Sequence, residues 1–280
     1  MPQDAAKRII AITNQKGGVG KTTTAINLAA ALATANRRVL LVDGDPQGNA
    51  TSGLGISVSS ESASLYEVLL GEARTADVIR RGVHLPGLDV LPATPDLAGA
   101  EVELVNEKRR EGRLADALAS ERYNYDYVLI DCPPSLGLLT VNMLAAADLV
   151  LIPLQCEYFA LEGLSQLLRT IQMVKDALNP GLVVGGVLLT MYDSRLNLSR
   201  QVAEDARTHF SELVYKTVIP RNIRLAEAPS YGKPIMLYDI TSVGCTAYMA
   251  VAKEVMDRME TFDSKNDAIL PDPMTTGVAP

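Results

Sequence analysis

"TNQKGGVGKTTT", Thr13–Thr24, decides how the rest of the chain is read. A phosphate-binding loop of the form G-x-x-x-x-G-K-[ST] carries a single lysine. Gly20-Lys21-Thr22 fits its second half. The first half departs, because Gln15 stands where glycine is expected and Lys16 follows it. Two lysines five residues apart thus share one glycine-rich loop, and the pattern accounts only for Lys21.

Working outward, "RIIAIT" (Arg8–Thr13) reads as a strand running into the loop, and "TTAINLAAALATA" as an alanine-rich helix leaving it. Further apolar runs read as strands at Arg38–Asp45, Leu88–Thr94, Tyr127–Pro134, Leu149–Leu154, Val183–Tyr192 and Val214–Pro220. They are continuously apolar, as strands covered on both faces are. Helical periods lie between them. In Leu161–Leu178 the stripe Leu161, Leu164, Leu168, Ile171, Val174 and Leu178 reads as core packing. Alternating β and α predicts an α/β fold: a doubly wound, mainly parallel sheet with helices on both faces and ligands at the carboxyl ends of its strands. No internal repeat or interdomain linker is visible. Residues 1–261 are therefore expected to form one domain. Phe262–Pro280, polar with three prolines, is expected to be a disordered tail.

Composition narrows the function. With 26 basic and 33 acidic residues the 280-residue chain carries −7, which excludes a whole-surface polyanion binder and leaves only a local patch for nucleic acid. Cys132, Cys156 and Cys245 form no C-x-x-C pair, and His84 and His209 are the only histidines. A disulfide framework, zinc site or intrachain iron–sulfur site is not expected. The start, "MPQDAAKRII", has no apolar signal core, and the uncharged stretch Cys132–Ala147 is too short to span a bilayer. A cytoplasmic protein without a membrane partner is expected.

In the loop, the backbone N–H groups from Gly17 through Gly18, Val19, Gly20 and Lys21 to Thr22 would line one concavity, with Thr23 on the helix that follows. Lys21 would reach the β- and γ-phosphates and the Thr22 hydroxyl would hold Mg²⁺. Asp131 ends the apolar strand "YVLID", where a Walker B aspartate binds the metal shell. Asp43 and Asp45 close "LLVDGD" at another strand end. With so few histidines, phosphoryl chemistry by a positioned water fits better than acyl transfer.

"KGGVGKTTT", "VLLVDGDPQGNATSGLG", "YDYVLIDCPPSLGLLTVNML", "PLQCEYFALEGLSQLL", "VLLTMYDSR" and "TVIPRNIRLAEAPSYGKPI" closely resemble the ParA/Soj family of chromosome- and plasmid-partitioning ATPases, within the deviant Walker A superfamily. The resemblance runs in order from about Lys7 to Arg258. It implies an ATP-dependent sandwich homodimer with Mg²⁺ that binds double-stranded DNA without sequence preference. It also implies nucleoid association and a ParB/Spo0J-like centromere-binding partner that stimulates slow hydrolysis. On that resemblance Lys16 is the signature lysine that crosses to the facing subunit's nucleotide. Asp45 orients the attacking water and joins Thr22 and Asp131 near the metal, with Asp43 and Asn49 as supporting members. Pro220, Arg221 and Asn222, with Met191, lie against the adenine, and Arg195 and Arg224 contact DNA.

Three alternatives compete. A MinD-like membrane-switching ATPase needs a basic amphipathic C-terminal helix, whereas the expected tail has one lysine, Lys265. An iron-protein relative needs cluster-bridging cysteines in motif form. A nucleotide-dependent positioning scaffold, with hydrolysis as a timer, stays open on the motifs alone. For DNA, Asp193–Lys233 holds seven basic and five acidic residues, a small local excess in an acidic chain.

Overall fold

The computed structural model describes residues 8–59, 62–158 and 160–264. Its sheet comprises β1 (Arg8–Ile12), β2 (Val39–Asp43), β3 (Leu88–Leu91), β4 (Tyr127–Asp131), β5 (Leu149–Gln155) and β6 (Val183–Thr190), in the order β3-β2-β4-β1-β5-β6. Every pairing between these strands is parallel, as the alternating pattern predicts.

The apolar runs are continuous because successive side chains enter opposite cores. From β1, Ile9 and Ala11 join a core with the helices Leu138–Ala146, Ala160–Ala177 and Asn197–Phe210. Ile10 and Ile12 join the other, built from α1 (Lys21–Thr34) and the helix Val243–Ser264. α1 is buried almost all round, between the sheet and that last helix. Its run Leu28-Ala29-Ala30-Ala31-Leu32 is fully buried, and three small side chains in five let both neighbours come close. The Thr24 hydroxyl meets the Tyr248 hydroxyl at 3.1 Å across this contact.

The strand order puts a crevice where chemistry is expected. From β1 the chain crosses β4 to reach β2, whereas from β4 it crosses β1 to reach β5. Connections leaving two adjacent strands in opposite directions open a cleft at their carboxyl ends. The glycine loop follows β1 there, and Asp131 ends β4.

Four expectations change. Val214–Pro220 is not a strand. It meets the sheet edge through isolated bridges, Val187 with Val214 and Tyr192 with Pro220, and a bond from the Ile219 N–H to the Leu189 carbonyl at 2.8 Å. Between them the Glu254 carboxylate accepts from the backbone N–H groups of Lys216 (2.8 Å) and Thr217 (3.0 Å), which draws the segment off the ladder. The strand expected to end at Asp45 stops at Asp43, so Asp45 sits in the turn beyond it. In the helix Ala160–Ala177, Leu167 is fully buried while Leu178, past the helix end, is 44% exposed. The last helix runs to Ser264, three residues into the expected tail, and the rest of that tail lies outside the described residues.

Glu254 also accepts from Arg258 at 3.1 Å, so it holds three donors. Glu254→Ala should cost roughly 1–3 kcal/mol of stability by stranding these donors, and Glu254→Gln, which keeps an acceptor oxygen, clearly less. Urea unfolding at neutral pH measures both.

Candidate functional site

The loop between β1 and α1 is shaped by two glycines in the left-handed region, Gly18 (φ 76°) and Gly20 (φ 88°), a conformation that disfavours any Cβ. Its flanks are pinned from outside. Asn14 donates to the Pro153 carbonyl (2.7 Å) and accepts from the Lys16 N–H (3.0 Å), while the Thr190 hydroxyl donates to the Val19 carbonyl (2.8 Å). Gly20 caps α1 without a side chain, and the first turn, with Lys21, Thr22 and Thr23, contains no acid. The orphan N–H groups of that turn and the positive helix end therefore stand available to an anion.

The two lysines are held differently. Lys21 is buried, and its ammonium donates to the Lys16 carbonyl at 3.1 Å. Burial pulls its pKa below the ordinary value, opposed mainly by the charge of Asp131 and also by that of Asp45. The Lys16 side chain is about half exposed and pairs with the Glu157 carboxylate.

Below the loop the acids converge. β4 pairs with β1 and β2 so that Ile12, Asp131 and Asp43 lie in one row. Asp43 is fully buried; its Oδ2 accepts from the Thr51 N–H and hydroxyl, both at 2.7 Å, and its Oδ1 from the Asp45 N–H at 3.3 Å. Burial, against those hydrogen bonds, pushes its pKa up to about 6. Asp45 is nearly buried, and its Oδ1 accepts from the Gln47 N–H at 2.9 Å. Asp131 is fully buried, and among the described residues neither of its oxygens has a hydrogen-bond partner. Burial raises its pKa, the charge of Asp43 adds to this, and the Thr22 hydroxyl and Lys21 oppose it. An orphaned buried carboxylate beside a hydroxyl is the donor set that Mg²⁺ takes when phosphates complete its shell. Among the described residues no three His, Cys, Asp or Glu side chains form a cage of their own, which fits a metal that arrives with a phosphate ligand.

The other expected cofactor residues gather at the end of β6. Thr190 touches the glycine loop, and Met191 follows it in the left-handed region (φ 50°). Tyr192 bridges to Pro220 and its carbonyl accepts from the Arg221 N–H at 3.0 Å. Asn222 is occupied as a helix cap, accepting from the Leu225 N–H at 3.3 Å at the start of Ile223–Glu227. Arg195 and Arg224, read as DNA contacts, are both exposed, yet each is paired within the chain. Arg195 grips Asp193 through two nitrogens (2.9 and 2.6 Å). Arg224 meets Glu227 (2.9 Å) and Asp239 (3.5 Å).

Sequence reasoning missed Thr51, Thr190 and Glu157. All three lie inside motifs quoted for the family resemblance, without being singled out there. Glu157 could have been noticed as a charge placed just past an apolar strand on the ligand side.

A family model described as an AAA domain matches residues 7–184. The chromosome partitioning protein ParA of Myxococcus xanthus is 61% identical over 251 residues, covering 90% of this chain and 88% of that protein. The sporulation initiation inhibitor protein Soj of Bacillus subtilis is 59% identical over 248 residues, 89% of this chain and 98% of that one. Among solved structures, cobyrinic acid a,c-diamide synthase from Mycobacterium smegmatis with bound ADP and magnesium superposes with a TM-score of 0.79 at 40% identity, covering 95% of this chain and all of that one.

Asp43 predicts a pH dependence of stability. Its folded pKa near 6 exceeds the ordinary 3.8, so between about pH 4 and 6 the folded state holds more proton than the unfolded one. Its stabilising contribution is present below that window and is lost as pH rises through it. With metal chelated, Asp43→Asn should therefore compare better with wild type at pH 7 than at pH 4 by up to about 3 kcal/mol, the acceptor it loses costing the same at both. Urea titrations at the two pH values measure the difference.

Proposed function

The chain belongs to the ParA/Soj family of chromosome-partitioning ATPases, and from that membership we propose that it segregates DNA through an ATP-controlled dimer cycle. It is an ATPase whose cofactors are ATP and Mg²⁺. In the proposed cycle the ATP-bound sandwich homodimer holds duplex DNA without sequence preference. A ParB/Spo0J-like centromere-binding partner speeds slow hydrolysis, which releases the DNA. The work is cytoplasmic, on the nucleoid, and no helix among the described residues is long and apolar enough to cross a membrane. One shared sheet supports a single ATPase domain.

The observation that carries this reading is the unequal placement of the two lysines on one loop. Lys21 is buried against its own loop, next to the acids, where it would serve the β- and γ-phosphates of its own subunit. Lys16 sits on the rim, about half exposed, where a facing subunit's nucleotide could take it from Glu157. A cation supplied in trans offsets charge that gathers on the transferred phosphoryl group and its leaving oxygen. That arrangement would make ATP the bond between subunits and hydrolysis its release.

Within a subunit the N–H groups from Gly17 to Thr23 bind the phosphates. Thr22, Asp131 and Asp45 would hold Mg²⁺, which when bound neutralises phosphate charge and orients the transferring group. Gln47 fixes one oxygen of Asp45, and the other oxygen is proposed to orient the attacking water. Met191, Pro220, Arg221 and Asn222 would frame the base, Asn222 by capping the helix behind it.

Lys21→Ala should abolish nucleotide binding. Lys16→Ala should bind ATP within about threefold of wild type but neither dimerise nor hydrolyse, and Asp45→Ala should bind and dimerise yet lose at least about 100-fold in turnover. Light scattering with ATP and phosphate release separate the three; an unimpaired Lys16→Ala dimer would refute the trans lysine.

DNA contact is proposed to run through phosphates, because 5% aromatic residues and no tryptophan leave no base-stacking platform. Two-fold repetition of a small cationic patch would raise avidity enough for an acidic protein. Binding should require ATP, ignore sequence and weaken steeply with salt. Arg195→Glu or Arg224→Glu should remove it while sparing dimerisation. Co-sedimentation with ATP, ADP or no nucleotide is the measurement, and equal binding without nucleotide would exclude the DNA cycle.

A further inference from the structure

The Asp43 segment and the Arg224 segment meet at one backbone contact, closed by a histidine outside both. Thr51, which holds Asp43, belongs to the short helix α2 (Asn49–Gly53). Its own carbonyl accepts from Leu54 and Ile56, so the turn ending at Gly55 is tied to that helix. The Arg224 helix, Ile223–Glu227, continues into a 3₁₀ turn, Ala228–Tyr231, that ends on Gly232. Gly55 (φ 70°) and Gly232 (φ 63°) touch backbone to backbone; a Cβ on Gly232 would lie 2.7 Å from the Gly55 Cα.

His84 spans this contact. Its Nε2 lies 2.9 Å from the Leu54 carbonyl and 2.7 Å from the Gly232 carbonyl. Both partners only accept, so Nε2 carries the hydrogen and shares it between the two segments. His84 itself holds a left-handed backbone (φ 60°), uncommon for a residue with a side chain. The loop that bears it is fixed to β3, with Val83 N–H bonded to Leu88 O at 2.7 Å and Gly82 N–H to Asp89 Oδ1 at 2.8 Å. A rigid post on the sheet thus pins the end of the acid-bearing switch to the end of the arginine-bearing helix.

We propose that His84 is a positioning residue that couples the nucleotide state of the Asp43–Thr51 segment to the placement of Arg224. The inference rests on the DNA-binding reading of Arg224 for its purpose, but not for its mechanics. A movement of Thr51 on nucleotide binding would shift Leu54, and through the shared N–H would shift Gly232 and the helix before it.

Two variants of the full-length protein separate this from a merely structural role. His84→Asn keeps a residue that tolerates the left-handed backbone but shortens its reach, and His84→Gln restores an N–H at longer reach. Hydrogen exchange of residues 223–232 with and without ATP is the direct readout. Wild type should show ATP-dependent protection of about threefold or more, H84N nearly none, and H84Q a substantial part of it. DNA-free ATP turnover and dimerisation should stay near wild type, while the ATP-over-ADP preference for DNA should fall at least about fivefold in H84N. Protection in H84N equal to wild type, or no ATP effect on 223–232 in wild type, would overturn the coupling. Intact exchange coupling in a wild-type protein that binds no DNA would support the coupling and refute the DNA role instead.

Discussion

Three acids gather around one ammonium at the carboxyl end of the sheet, and the local architecture answers that imbalance. Removing carboxylates from water costs several kcal/mol each unless partners replace the lost hydration. Asp43 is answered from within by Thr51 and the Asp45 N–H. Asp131 is answered by no hydrogen bond. It sits there because β4 keeps strict parallel register with β1 and β2, which sets the Walker B side chain in the cleft beside the glycine loop. The fold thus holds an incomplete electrostatic arrangement that a divalent cation with a polyphosphate completes. Binding of that pair and stability of the sheet edge are two readings of the same balance.

What the sequence disclosed follows from the range of the interactions involved. The glycine loop was legible because left-handed glycines, Lys21 and the first turn of α1 are neighbours in the chain. The six strands were legible because covering both faces leaves an unbroken apolar signature. The false strand, Val214–Pro220, carries the same signature, but two of its N–H groups are bound by Glu254, some 38 residues later, instead of by a neighbouring strand. No local pattern contains that fact. Arg195 and Arg224 were visible as cations, but Arg224's second partner, Asp239, is brought in by tertiary folding. Leu178 failed as a core residue because the helix ends before it, and Leu167, outside the expected stripe, is buried instead of exposed.

Two cations of this acidic chain, one at the glycine loop and one beyond β6, are kept in specific company. Burial lowers the pKa of Lys21, and the neighbouring charges of Asp131 and Asp45 oppose that shift. Arg195 is held by Asp193, whose pKa falls to about 2 chiefly through that guanidinium. Neither cation is free to attract every anion in solution, and both keep a defined direction.

The ion pair between Lys16 and Glu157 carries this into selectivity. A monovalent anion that approaches Lys16 can at best replace one carboxylate by another single charge, with little net gain at so exposed a pair. A group bearing several negative charges at close range gains more than it displaces, since Coulomb attraction scales with the charge presented. In the proposed trans role of Lys16 the pair would act as a valence filter, favouring a nucleotide's terminal phosphates over singly charged anions.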